Sequence, residues 1–510
     1  MNPHPRHLLV GLALLAAATL QATPRADVVT YEQYGAVGDG VHDDQAAIVA
    51  AHQAANARHL PVRADDSKTY RIGGGSAVAI IQTDTDWGTA HFVIDDVATD
   101  DHRAAVFSVE STQQPVELTP PPSVAREQAS LGITLPGRCL VHIENDRRRV
   151  YIRYGLNQND GTAQQEVVVA DRRGRVDRRS PITWDYDTLT RLTAYPIDRH
   201  TLTLRGGIFT TIANQAPSTY DYRQRGIIVR RSNVRVEHLT HYVTGEQDHG
   251  APYAGFLTFN HCADVTVSHC LLTAHRTYST IGAADKPVSM GSYDMQAAFC
   301  VGARFEHCRQ TTDIDDSRYW GLFASNFCKA LTMHDMVISR FDAHMGVANV
   351  TLRRCTFGYM GVQMVGFGTM TVDRCEIRRP TLMWLRDDYG STWDGTIVIR
   401  RCTLRPPAGT TSVTLLSGSN SGTHDFGYPC CLPHEVIVDR LTIDDSALTD
   451  SRYTGPQVFG TFGRDATRSD LLPYPAPQRV VLRNVSVTSG KDLAISHNEA
   501  LFTTTKVVRK

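Results

Sequence analysis

Val350-Thr-Leu-Arg-Arg-Cys355 and Met370-Thr-Val-Asp-Arg-Cys375 are two copies of one phrase: apolar and polar residues alternate, a second polar residue follows, and a small apolar residue or cysteine closes it. The phrase occurs upstream as Val234-Arg-Val-Glu-His-Leu239, Val265-Thr-Val-Ser-His-Cys270, Ala303-Arg-Phe-Glu-His-Cys308 and Leu331-Thr-Met-His-Asp-Met336. Downstream it occurs as Ile397-Val-Ile-Arg-Arg-Cys402, Val436-Ile-Val-Asp-Arg-Leu441 and Val480-Val-Leu-Arg-Asn-Val485. Alternation with period two means strand rather than helix. The closest copies end 19 and 20 residues apart, at Met336, Cys355 and Cys375, and the others are spaced more widely. A minimum near one turn, with variable additions, is the pattern of a solenoid whose loops grow between constant strands.

Stacked in register, equivalent side chains of such strands lie about 4.8 Å apart. Cys270, Cys308, Cys355, Cys375 and Cys402 are therefore expected to form an internal ladder, as small apolar filler rather than disulfides or metal ligands. The chain has 11 cysteines, an odd number, so at least one thiol stays unpaired in a monomer; the adjacent Cys430-Cys431 has no assigned role. Lys and Arg (52) balance Asp and Glu (53), which argues against a nucleic-acid partner. Met1–His7 followed by the apolar run Leu8–Leu20 reads as a secretory signal peptide over 1–26, too short to span a bilayer. A secreted or periplasmic monomer without membrane insertion is expected.

Upstream of the repeat, Tyr34-Gly-Ala-Val-Gly-Asp-Gly-Val-His-Asp-Asp44 leads into an Ala-rich helical stretch that Asp43 or Asp44 can cap. This string resembles the N-terminal motif of the pectate lyase superfamily, in which a helix plugs the end of a β-helix. The resemblance implies an all-β, right-handed parallel β-helix with an N-terminal capping helix, and a carbohydrate-active protein. It does not choose among lyases, hydrolases, epimerases and tailspikes. Residues 27–82 are read as the cap and first coil. Residues 83–200, which fit the repeat poorly, are read as a β-rich insertion, and 201–510 as the helix proper.

Chemistry is sought where strands point ionisable groups outward. In Arg340-Phe-Asp-Ala-His344, Asp342 and His344 share a face opposite Phe341 and Ala343, and Gln363 of the next coil is expected opposite His344. A carboxylate beside an imidazole can orient it and raise its basicity. The phrase also resembles the Phe-Asp-Pro-His motif of alginate C5-epimerases, with alanine in place of proline. That resemblance implies His344 and Asp342 acting at C5 of a uronic acid.

Two longer loops flank this strand, Thr312–Trp320 and Trp384–Asp394. Their aromatics can stack on sugar rings and their arginine can clamp a carboxylate. His344 is expected to act as base, Asp342 as its orienter, Arg386 as carboxylate neutraliser and Tyr389 as acid. Arg340, Gln363, Trp320, Asp388 and Trp393 are taken as substrate contacts. No metal site is assigned; Asp313, Asp315 and Asp316 are the only candidates for Ca²⁺. His275, Tyr278, Tyr293 and Asp294, like His424, Asp425 and Tyr428, lie on insertions that can overhang the groove. Lyase or epimerase chemistry on a polysaccharide is the preferred function. The alternatives are a glycoside hydrolase with two carboxylates drawn from Asp315, Asp316, Asp342, Asp387 and Asp388, and a non-catalytic glycan-binding solenoid. The Gly-His-Gly and Arg-Ile-Lys signatures of polygalacturonases are absent.

Overall fold

The computed structural model describes residues 28–464 and 467–510; the expected signal peptide, 1–26, lies outside them. Every copy of the repeated phrase is a strand, and the copies pair in parallel, each with the next. One inward column runs Val236, Val267, Phe305, Met333, Leu352, Val372, Ile399, Val438 and Leu482. All of these side chains are buried. The fifth residue of each phrase turns the chain out of the strand through the left-handed region: φ is 55° at His269 and His307, 52° at Arg354, 55° at Arg374 and 54° at Arg401. That turn aims the sixth residue back inside.

The sixth residues form the expected ladder. Cys270, Cys308, Cys355, Cys375 and Cys402 are all buried and free. Each thiol donates to the carbonyl two residues earlier, at 3.2–3.5 Å. Burial without a partner would leave a polar atom unsatisfied, and this short bond removes that cost. Cys262, Cys300 and Cys328 form a second, shorter column, and all 11 cysteines are buried and unpaired.

A second parallel face carries the outward series Thr258, Gln296, Ala324, Asp342, Gln363, Trp384 and Ser417, in register from coil to coil. Short strands such as Leu271–Leu272, Arg309–Gln310, Glu376–Ile377 and Thr403–Leu404 supply the third. The molecule is thus a right-handed parallel β-helix, capped at its N-terminal end by α1 (Gln45–Arg58), which buries Ile48, Ala51 and Ala55. Asp44 accepts hydrogen bonds from the N–H groups of Val37, Gly38 and Arg71, tying the glycine-rich turn to the first coil. Asp43 accepts from the Gln45 N–H at 3.0 Å.

The stretch 83–200 is divided between two structures. Thr85–Asp95 and Phe107–Val109 are rungs of the solenoid, pairing in parallel with Leu202–Ile212 and Ile227–Val229. These rungs lack the cysteine phrase because large rings fill their core: Phe92 stacks on Phe209 at 4.7 Å, and Trp87 meets Phe209 edge-on at 5.2 Å. The remainder holds an antiparallel sheet of Val116–Glu117, Arg191–Pro196, Cys139–Val150 and Thr162–Ala170. Several ties fasten it to the helix. Lys329 and Glu166 make a fully buried ion pair, Arg126 reaches Asp394 at 2.6 Å, and the Tyr151 hydroxyl accepts the Gly346 N–H. Among the described residues no helix is long and apolar enough to cross a membrane.

A core closed by filler thiols predicts that reductant leaves the melting temperature unchanged. The native protein should resist a thiol reagent that labels every cysteine after denaturation.

Candidate functional site

The outward series on the second face floors a cleft, and the strand Val337–Arg353, which carries Asp342 and His344, lies at its centre. Asp342 sits between Ala324 and Gln363 in register, not beside a Gln363–His344 pair. The reason is a local excess of chain: Ile338 faces Phe357 but Arg340 faces Gly361, so three residues of the next coil stand opposite Ser339. The shift is by two residues, which keeps every side chain on its expected face.

A second irregularity sets His344. Residues 344–346 bulge opposite Val365, with Gly346 at φ 57°, where any side chain would collide with the Phe327 ring. The bulge separates His344 from Asp342, and the two are not hydrogen-bonded. His344 Nδ1 instead lies 2.9 Å from Asn326 Oδ1. An amide oxygen only accepts, so Nδ1 carries the proton and Nε2 keeps its lone pair. Nε2 is 3.4 Å from the Tyr389 hydroxyl. Burial, reinforced by Arg386, pushes the imidazole down to about 3, so it is neutral at pH 7. The orienting role expected of Asp342 therefore falls to Asn326.

Asp342 has other work. Its carboxylate, fully buried, accepts from Arg340 at 2.5 Å, from Arg386 at 2.9 and 3.1 Å, and from the Tyr293 hydroxyl at 3.0 Å. Burial disfavours its charge, but the two guanidinium groups outweigh that and hold the carboxyl well below the usual carboxylate range. Arg386 continues to Asp388 at 2.8 Å, and Asp388 to Arg153. Against burial, these two arginines hold Asp388 down at about 2. The result is a chain Arg340–Asp342–Arg386–Asp388–Arg153, with three cations against two anions. Tyr389 lies within it, the Arg153 and Arg386 guanidiniums 5.1 and 5.5 Å from its ring centre.

Among the described residues Arg340 Nε and Nη1, both buried, have no hydrogen-bond partner, while Nη2 also reaches Gln363 at 2.9 Å. Its guanidinium stacks 4.5 Å from the Trp320 ring, which lines the cleft. Trp393 does not. It is completely buried, donates to the Gly368 carbonyl and packs where Gly366 leaves room, because the chain has re-entered the solenoid there. The cleft aromatic of that loop is Trp384, in register with Gln363.

The acidic loop residues are not gathered as ligands: Asp315 pairs with Arg378 and Asp316 with Arg318. His275 and Asp294 are buried away from the cleft in a network with Glu246 and His241, while Tyr293 enters the cleft. Arg153, Asn326 and Trp384 were not singled out from sequence. Trp384 could have been found by the same column alignment that placed Asp342, whereas Arg153 arrives from the insertion, beyond the reach of any repeat.

No protein-family model and no curated protein matches the chain. Among solved structures, the tailspike of Pseudomonas phage LKA1 matches 94% of this chain and 84% of its own, with 16% identity and a TM-score of 0.54. The tailspike of Acinetobacter baumannii bacteriophage AP22, solved with a capsular saccharide, matches over 94% and 79% at 10% identity and a TM-score of 0.53. These likenesses define the class by fold: a right-handed parallel β-helix protein.

Removing one member of the buried charge chain strands the others. Asp342→Ala should destabilise the protein by about 3–5 kcal/mol, read as a lowered denaturant midpoint. His344 adds a pH signature. An unfolded imidazole takes a proton below 6.5, and the folded one refuses it until about 3. Its contribution to stability is therefore intact above pH 6.5 and is lost as pH falls from there toward about 3; His344→Gln should flatten that part of the stability profile.

Proposed function

We propose that the cleft acts on an anionic polysaccharide, abstracting the C5 proton of a uronic acid in a lyase or epimerase reaction. The observation that carries this reading is a neutral imidazole whose unprotonated Nε2 meets only the Tyr389 hydroxyl, 3.4 Å away, beside a chain of three guanidiniums and two carboxylates. A uronate brings a carboxylate that needs a cation, and an acidic C–H that needs a base. Arg340 brings positive charge beside the cleft, its Nε and Nη1 buried and without a partner among the described residues, while Arg386 is already engaged by Asp342 and Asp388.

In the reaction, His344 Nε2 takes the C5 proton while Asn326 holds the Nδ1–H tautomer. Negative charge moves onto the substrate carboxyl, where the arginines stabilise it. So weakly basic an imidazole puts most of the burden on that stabilisation. Tyr389, beside Nε2, returns a proton, to the leaving O4 in lysis or to C5 in epimerisation. The Gln363 and Gln296 side chains on the floor, with Trp320 and Trp384, supply the hydrogen bonds and stacking surfaces that a pyranose chain uses. The AP22 tailspike, of the same fold, was solved with a capsular saccharide. Hydrolysis by paired carboxylates is less well supported for Asp342 and Asp388, each held by two arginines; in that alternative Asp387, which lines the cleft and whose carboxyl is pushed up by burial and by Asp388, is the candidate acid.

The experiment is incubation with uronate-containing polysaccharides in D₂O. Lysis shows as ultraviolet absorbance of unsaturated ends, and epimerisation as deuterium at C5. His344→Gln should lower the rate by about 10²-fold or more. The wild-type rate should hold between pH 7 and 5, falling only toward the imidazole's value of about 3. Full activity in His344→Gln removes the mechanism, and new reducing ends without unsaturation replace it with hydrolysis.

A further inference from the structure

The cleft is not open along its length. Its floor runs parallel to the solenoid axis, and its two walls are the loops that enter and leave the floor strands. One segment of the insertion, 153–157, passes from one wall to the other. On the exit wall, Arg153 pairs with Asp388, the Tyr154 N–H donates to the Asp388 carbonyl at 3.2 Å, and the Tyr154 ring meets His424 at 5.2 Å. On the entry wall, the Tyr220 hydroxyl donates to Asn157 Oδ1 at 3.1 Å. There the Leu156 carbonyl also packs against Gly282, where a Cβ would come within 3.0 Å of it. Beneath lie Gln363 and Arg386. These two floor residues and Asn157 above them border both chambers of the cleft, ≈ 550 and ≈ 530 Å³, on either side of the crossing.

We infer that this crossing makes the site an end-binding one: it takes chain termini or short oligosaccharides of the anionic glycan and excludes interior stretches of a long chain. A polymer cannot be laid sideways into a groove bridged from wall to wall; it must enter by an end. The inference rests on the glycan reading above, but concerns access rather than chemistry.

The test uses the fluorescence of the cleft tryptophans, Trp320 and Trp384, titrated with one uronate polymer and its short fragments. For the wild-type protein, a chain about ten times longer should bind about ten-fold more weakly per sugar unit, because affinity follows the number of ends. Arg153 and Asn159 already face each other across a two-stranded bridge, so replacing residues 154–158 by Asn-Gly closes the hairpin without moving its stem. In that variant the length dependence should disappear. Equal binding per sugar unit by the wild-type protein for long and short chains overturns the inference, a result that needs no variant. So does a folded hairpin variant that keeps the length dependence. Length-dependent binding without turnover overturns the proposed reaction and leaves the inference standing. Absence of glycan binding by both proteins removes the two together.

Discussion

The stacking register of parallel rungs governs everything else in this molecule. Each coil can bury its inward residues only against the coils above and below. A slip of one residue would turn every apolar side chain to solvent and every charge to the core. The left-handed turn residue after each strand is the local device that keeps the phase, because it lets the closing cysteine point inward immediately after a polar pair. Where the chain carries extra residues, at 358–360, the excess is even in effect and the faces survive.

The site follows from that register in combination with one foreign element. The floor side chains come from successive coils at the same position around the turn, so their spacing is set by backbone hydrogen bonds rather than by loops. Arginines and aspartates alternate from Arg340 to Arg153, so each buried carboxylate lies between two guanidiniums and one positive charge is left over. The last member belongs to the insertion. Arg153 and Tyr151 thus join the cleft face to the antiparallel sheet, and the cleft is complete only with both parts folded. The buried Lys329–Glu166 pair holds the same junction from beneath.

Most of the fold was legible because its determinants are local and repeated: the alternation, the closing cysteine and the glycine-rich turn before α1 each signal through adjacent residues. The placement of Asp342 on the outward face was legible for the same reason. The partnership of His344 was not, since a bulge breaks the i, i+2 relation that alternation assumes, and its true partner, Asn326, sits one coil away. Trp393 misled because an aromatic in an acidic loop looks exposed, while the re-entry of the chain two residues after Ser391 leaves no mark in composition. The rungs Thr85–Asp95 and Phe107–Val109 were not legible because rings replace thiols as their filling.

The thiol columns carry an implication for how this chain tolerates change. A residue in such a column has its closest contacts with its counterparts one turn away, not with its own sequence neighbours. Enlarging one member therefore presses on two others some twenty to forty positions distant, and a compensating reduction must come in the same column, one turn away. Substitutions should be correlated at intervals of one turn, and a whole column exchanged together for another small apolar type would be easier to accommodate than any one of its members alone.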